Sequence, residues 1–84
     1  MATNTVTISK GVWTAVATGP VNVSFSPTHD CYFLATGGGS PGKDAVGYFA
    51  SAHNTQYVEV PTGEILMVRS TNDAFAISID QVAA

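Results

Sequence analysis

The clearest indication of the fold is in residues 75 to 80, Phe75-Ala76-Ile77-Ser78-Ile79-Asp80. Large apolar side chains alternate along this segment with small or polar ones, and residues 5–9 and 21–26 alternate in the same way. A period of two places one set of side chains on a core and the other toward solvent, as in a half-buried strand of an antiparallel sheet. The periodicity therefore predicts an all-β protein.

Turn signals separate the alternating runs at nearly regular intervals, for example at Lys10-Gly11, Thr18-Gly19-Pro20 and Pro61-Thr62-Gly63. Glycine and proline supply the backbone dihedrals that such turns need. The pattern predicts about eight short strands, at residues 4–9, 12–18, 21–26, 31–36, 46–50, 57–60, 64–70 and 74–81. Short strands at this spacing are typical of a small antiparallel β-sandwich or barrel.

Two segments allow other interpretations. A helix over residues 43–53 is an alternative to the fifth strand, because Ala45, Tyr48, Phe49 and Ala52 could share one helical face. The last three residues, 82–84, are expected to be frayed.

The chain has 84 residues, enough for a single domain spanning residues 1–84. Domains of this size gain modest stability from their own core, and they often add disulfides, a metal or a partner. Cys31 is the one cysteine, so an internal disulfide is excluded, and its apolar surroundings in sequence predict a buried, inert thiol. With only His29 and His53 as imidazoles, no metal site or other cofactor is predicted. A partner chain remains as the expected source of further stability.

Charge narrows the range of partners. Charged residues are 11% of the chain, against about 25% in an ordinary soluble domain, and the formal net charge is -3. Three cations cannot neutralise several phosphates, so nucleic acid is not an expected partner. The sequence contains no signal-peptide core and no run long enough to span a bilayer, so we expect synthesis in a cytoplasm and no membrane contact.

The segment Gly37–Lys43 resembles the start of a phosphate-binding loop. Asp44 occupies the position where a magnesium-binding hydroxyl is needed, and Pro41 removes a backbone donor. We therefore interpret the segment as a flexible glycine-rich loop.

His29-Asp30 could be a base and its orienting carboxylate, but no nucleophile accompanies the pair. A turn in which Asp30 caps backbone donors is the preferred interpretation, and residues 53–56 are interpreted as a polar loop. A carboxylate pair for sugar hydrolysis would need a deep cleft, which a domain this small is poorly able to form. No enzymatic activity is predicted.

Four aromatic residues are candidates for an interface or a binding surface: Trp13, Tyr32, Tyr48 and Tyr57. Each could instead belong to the core. An exposed tryptophan or tyrosine concentrates binding energy at protein contacts or provides a stacking surface for a sugar ring. The binding alternative predicts an exposed aromatic platform near the loops at residues 37–42 or 53–56.

Several segments follow one another in a characteristic order. They are the threonine-rich first strand, residues 11–17 with Trp13, the alternating residues 21–25, Gly47-Tyr48-Phe49, residues 61–70 and the closing strand. This order resembles small structural proteins of tailed bacteriophages, and the resemblance covers most of the chain through loose patterns.

The resemblance implies a non-enzymatic virion protein, most simply a capsid-decorating or head-associated β-domain that works as a homo-oligomer beside other virion proteins. The alternative that it leaves open is a tail or fibre module that recognises host glycan or another virion protein.

Overall fold

The computed structural model of the protein describes residues 2–37, 47–71 and 73–83, with only the backbone of Ala2 and Thr3. The described residues form eight strands and no helix. The strands are β1 (Ala2–Ile8), β2 (Thr14–Thr18), β3 (Val21–Phe25), β4 (Cys31–Thr36), β5 (Tyr48–Ala50), β6 (Gln56–Val60), β7 (Ile65–Ser70) and β8 (Phe75–Ala83). The prediction of an all-β chain with about eight short strands is confirmed.

The strands form two antiparallel sheets of four strands each. Sheet A has the order β1-β8-β3-β6, and sheet B has the order β2-β7-β4-β5. Because each sheet ends in two edge strands, the architecture is a β-sandwich, one of the two that the sequence allowed.

Strand alternation places one core between the sheets. In sheet A, Val23 and Phe25 of β3 and Ile77 and Ile79 of β8 all point inward and are 2% exposed or less. Sheet B contributes inward residues from every strand, among them Leu66 and Val68 of β7, both fully buried. The residues that the period-two pattern places on the core face are thus buried there.

The hairpin between β2 and β3 lies directly against the turn between β6 and β7. The N–H of Gly19 donates to the carbonyl oxygen of Glu64 at 2.9 Å. A Cβ at Gly19 would collide with the carbonyl oxygen of Pro61, so the close approach of these two turns requires glycine.

Several predicted segments differ from the structure. The first strand, predicted at residues 4–9, spans Ala2–Ile8. β2 begins at Thr14 and not at residue 12; Gly11, at φ +70°, still belongs to a turn, and its N–H donates to the carbonyl oxygen of Ser70. β8 continues to Ala83, so the prediction that residues 82 and 83 are frayed is wrong; their backbone pairs with Asn22 and Val21 of β3.

The helical alternative for residues 43–53 is also wrong over its described part, since β5 pairs with β4 as a strand. Residues 43–46 lie outside the described ranges.

Candidate functional site

The outer face of sheet B carries a line of side chains that crosses the sheet from one edge to the other. Tyr32 of β4 is paired with Arg69 of β7 on one side and with Phe49 of β5 on the other. Trp13 comes just before Thr14, which pairs with Val68, so Trp13 lies beside Arg69. We call Trp13, Arg69, Tyr32 and Phe49 the aromatic row.

The members of the aromatic row contact one another through ring faces and edges. The guanidinium carbon of Arg69 lies 5.0 Å from the centroid of the Trp13 ring and 5.6 Å from that of Tyr32. The Tyr32 and Phe49 centroids are 5.5 Å apart with the rings at 66°, an edge-on arrangement. A cation held between two ring faces is stabilised by both ring quadrupoles, so Arg69 links Trp13, which precedes β2, to Tyr32 of β4.

Exposure rises along the aromatic row toward the β5 edge. Trp13 is 9% exposed, Arg69 and Tyr32 are half-buried, and Phe49 is 52% exposed. Trp13 is absent from the core cluster between the sheets, and so is Met67, another buried residue of the outer face. The indole N–H of Trp13 is buried without a hydrogen-bond partner among the described residues. The open end of the row is therefore at β5, while Trp13 forms its covered end.

Tyr48 adds a second exposed aromatic side chain at the β5 edge. It precedes Phe49, pairs with Phe33 and packs on the Phe33 ring at a centroid distance of 5.7 Å. Although this side chain points toward the core side of sheet B, it is 66% exposed because it stands at the start of an edge strand. β5 therefore presents aromatic surface on both of its faces.

A different surface covers the outer face of sheet A, where two rows of three side chains cross strands β6, β3 and β8. The first row is Tyr57, Ser24 and Asp80, and the second is Glu59, Asn22 and Val82. Together these six residues line an open groove of about 450 Å³, which we call the tyrosine furrow. Tyr57 is 82% exposed, the highest value among the large hydrophobic side chains of the described residues.

Two further hollows extend the tyrosine furrow along β3. One of about 400 Å³ shares Asn22 and Glu59 with it, and one of about 300 Å³ shares Ser24, Tyr57 and Asp80. The residues that line the three hollows follow β3 from the turn at Pro61 to Thr55. It offers a tyrosine ring, two carboxylates, an amide and hydroxyl groups, and no cationic side chain is among the described residues that line it.

The four aromatic residues singled out in the sequence are thus divided between two surfaces. Trp13 and Tyr32 belong to the aromatic row, Tyr48 stands beside its exposed end, and Tyr57 lies on the other sheet. The burial of Trp13 leaves no open ring face, so it is not the exposed platform considered in the sequence. Tyr57 is exposed directly after the loop at residues 51–55, near one of the two loops where a platform was expected.

Several residues of these surfaces escaped the sequence-based choice. Strand pairing places Arg69 and Phe49 next to Tyr32. Pairing of distant segments also brings together the remaining residues of the tyrosine furrow, which are Asn22, Ser24, Glu59, Asp80 and Val82. The available signal was the set of outward-pointing residues in each alternating segment. This set shows which residues share a face of the strand, but it does not show which strands lie next to it.

The His29-Asp30 pair does not form a base and its orienting carboxylate in the structure. Nδ1 of His29 lies 3.0 Å from the hydroxyl oxygen of Thr28, and its ring packs on Phe75. A carboxylate oxygen of Asp30 accepts a hydrogen bond from the N–H of Ala52 at 2.8 Å. The prediction that Asp30 caps backbone donors is confirmed.

Cys31 is fully buried at the inward face of β4 and forms no disulfide, as predicted. Burial, with a smaller contribution from the Asp30 carboxylate, raises the pKa of the thiol to about 11. A thiol that stays protonated at neutral pH is a poor nucleophile, so Cys31 is a packing residue.

Within the described ranges, no group of three His, Cys, Asp or Glu side chains could hold a metal ion. The same ranges contain no apolar helix of membrane-spanning length. The phosphate-loop-like segment lies outside the described residues except for Gly37. Comparisons with protein-family models, curated proteins and solved structures found no match to the chain.

Proposed function

We propose that this chain is a non-enzymatic structural domain of a bacteriophage virion, and that copies of it associate through the β5 edge. The observation that carries the proposal is the adjacent pair Tyr48 and Phe49, 66% and 52% exposed on an edge strand of three residues. The virion setting, as a capsid-decorating or head-associated protein, rests on the sequence resemblance. The exposed pair supports association between chains.

The geometry of the aromatic row explains why its β5 end suits a protein contact. Phe49 is held from one side by Tyr32, which in turn is held by Arg69. A rigid aromatic side chain loses little rotamer freedom when a partner covers it, so its burial contributes most of its apolar area to affinity. With Tyr48 on the opposite face of β5, the two exposed rings flank the edge strand and provide the centre of a small interface.

The edges of the sandwich support the more general part of the proposal, that the chain works in contact with other chains. β5 is too short to offer many backbone hydrogen bonds, and the bulge between Ala15 and Ala17 interrupts β2. β1, by contrast, is a seven-residue edge strand without proline or charged residues. Proteins that function alone usually protect such an edge with charges, prolines or bulges, so the unprotected β1 fits a chain that works among other chains.

The association is tested by light scattering coupled to size-exclusion chromatography. We expect the wild-type chain to be a homo-oligomer and the Tyr48→Ser/Phe49→Ser double variant to be a folded monomer. Tyr57→Ser is the matched control, because it removes an even more exposed aromatic ring from the other sheet. A monomeric wild-type chain, or an oligomer that persists in the double variant, would contradict the proposal.

The virion setting needs its own measurement. An antibody against this chain should detect it in gradient-purified particles of the phage whose genome carries the gene. Detection of the protein in the host lysate but not in the particles would contradict the virion setting.

A further inference from the structure

We propose that the tyrosine furrow binds a neutral pyranose sugar of an oligosaccharide, with the ring stacked on Tyr57. The inference does not depend on the virion assignment, since it concerns the outer face of sheet A while the proposed assembly contact lies on sheet B. It is carried by the arrangement of the six lining residues.

The register sets the size of the furrow. Neighbouring strands are about 4.8 Å apart, so Tyr57 and Asp80, separated by the single strand β3, have backbones about 10 Å apart. The second row lies two residues further along the strands, about 7 Å away. This area fits a six-membered sugar ring with its substituents better than it fits a large protein segment.

The chemistry of the four corners is arranged in two crossing diagonals. Tyr57 and Val82 occupy one pair of opposite corners and offer apolar surface, 82% and 48% exposed. Glu59 and Asp80 occupy the other pair and offer carboxylate oxygens. A pyranose has an apolar C–H face and hydroxyl groups around its rim, so both diagonals have a counterpart on the same ligand.

The centre of the furrow completes the hydrogen-bonding set. Asn22 and Ser24 lie between the two outer strands, with Asn22 exposed and Ser24 half-buried. A carboxylate can only accept hydrogen bonds, whereas the Asn22 amide donates as well as accepts and the Ser24 hydroxyl does both. Sugar hydroxyls also donate and accept, so they are complementary to the Asn22 amide, the Ser24 hydroxyl and the carboxylate oxygens of the furrow.

The charge of the furrow selects among sugars. Glu59 and Asp80 would repel a carboxylate-bearing sugar, and no described lining residue is cationic. A cationic ligand is the competing possibility, because carboxylates and a tyrosine face attract ammonium groups. The two carboxylates, however, stand at opposite corners, where a single point charge cannot contact both. Hydroxyl groups on opposite sides of a ring can.

The neighbouring hollows along β3 favour a chain of sugars over a single one. The hollows at its two ends share lining residues with the furrow, so units attached to the stacked ring would stay in contact with the protein. Affinity should therefore rise with oligosaccharide length.

The test is a titration of the ¹⁵N-labelled protein, followed by NMR, with methyl β-glucoside, methyl β-galactoside, chito-oligosaccharides of increasing length, sialyllactose and a tetralysine peptide. We expect at least one neutral sugar to shift the amides of Asn22, Tyr57 and Asp80, more strongly as the chain lengthens. Tyr57→Ala should weaken this binding by about tenfold or more, while Tyr48→Ala should leave it unchanged. Because Tyr57 is exposed, its replacement keeps the fold, which the spectrum itself checks.

Three outcomes would overturn the inference. They are the absence of shifts with every neutral sugar, binding that persists in Tyr57→Ala, and a response at these residues to tetralysine or sialyllactose alone. The Tyr48→Ser/Phe49→Ser variant should bind the sugar normally, so a failure of the assembly proposal and a failure of this one are distinguishable.

Discussion

The outer faces of the two sheets differ in how much side-chain surface they cover. On sheet B the aromatic row packs side chain against side chain, and Trp13 and Met67 are buried although they lie outside the core. On sheet A most outward residues are small or polar, and Tyr57 stands 82% exposed among them. One face therefore adds a second apolar layer to the sandwich, whereas the other leaves its functional groups open to a ligand.

The difference between the faces comes from side-chain length at neighbouring positions. Arg69, Tyr32 and Phe49 are long enough to reach across the distance between strands and contact one another. Ser24 is too short to cover the Tyr57 ring beside it. The small side chain of Ser24 in β3 thus leaves the furrow open on sheet A. On sheet B, the long side chain of Arg69 in β7 covers the surface between its neighbours.

The first prediction compares the free energies of unfolding of the Trp13→Ala and Tyr57→Ala variants. Trp13 is 9% exposed, so its truncation should lower the free energy of unfolding by about 3 kcal/mol or more. Tyr57→Ala should change it by no more than about 0.5 kcal/mol, because exposed side chains contribute little. Urea denaturation measures both, and equal losses would remove the distinction between the faces.

The second prediction concerns the inward side of β4, opposite the Tyr32 side. The pKa of Cys31 is raised from 9.0 to about 11, so the folded state keeps the thiol protonated where the unfolded state releases the proton. The thiol's contribution to stability is therefore complete below pH 9 and is lost as the pH rises toward 11. We expect the free energy of unfolding to fall by about 2 kcal/mol over this range.

Denaturation at a series of pH values checks this window. Cys31→Ala is the control, since it lacks the titrating group while the other alkaline titrations remain. If wild type and variant lose stability in parallel between pH 9 and 11, Cys31 does not carry the effect.

The third and smallest effect tests how closely the backbone approaches the aromatic row. Gly47 has φ +72°, and a Cβ there would lie 2.7 Å from the carbonyl oxygen of Phe33 and 3.0 Å from Cη2 of Trp13. Gly11, at φ +70°, has no heavy atom within 4 Å of the same position. Gly11→Ala should lower the free energy of unfolding by about 1 kcal/mol, because alanine is strained in the left-handed conformation. Gly47→Ala should lower it by about 1 kcal/mol more, because the added Cβ also collides with its neighbours.

Thermal denaturation of Gly47→Ala and Gly11→Ala measures that difference with the backbone strain matched. Equal shifts in Tm would mean that the row tolerates displacement at Gly47.

Much of the fold was predictable from local pattern. Alternation in residues 21–25 and 75–80 identified both central strands of sheet A and their inward residues, because a period of two follows from strand geometry alone. The extent of β8 was not predictable in the same way: Val82 and Ala83 carry no strong signal, and only the pairing with β3 holds them in the strand.

The candidate surfaces were predictable only in part. The amino-acid pattern alone showed that Trp13, Tyr32, Tyr48 and Tyr57 are aromatic side chains near strands or turns, and that few charges accompany them. It also determined the all-β class, since two-residue periodicity needs no tertiary information.

The folded chain was needed to show that Trp13 is covered while Tyr57 is open, and that Asn22 meets Glu59 across 37 positions of sequence. Alternation specifies toward which face a side chain points, whereas strand order and register specify which side chains lie next to it. Those depend on contacts between distant segments, which no local pattern encodes.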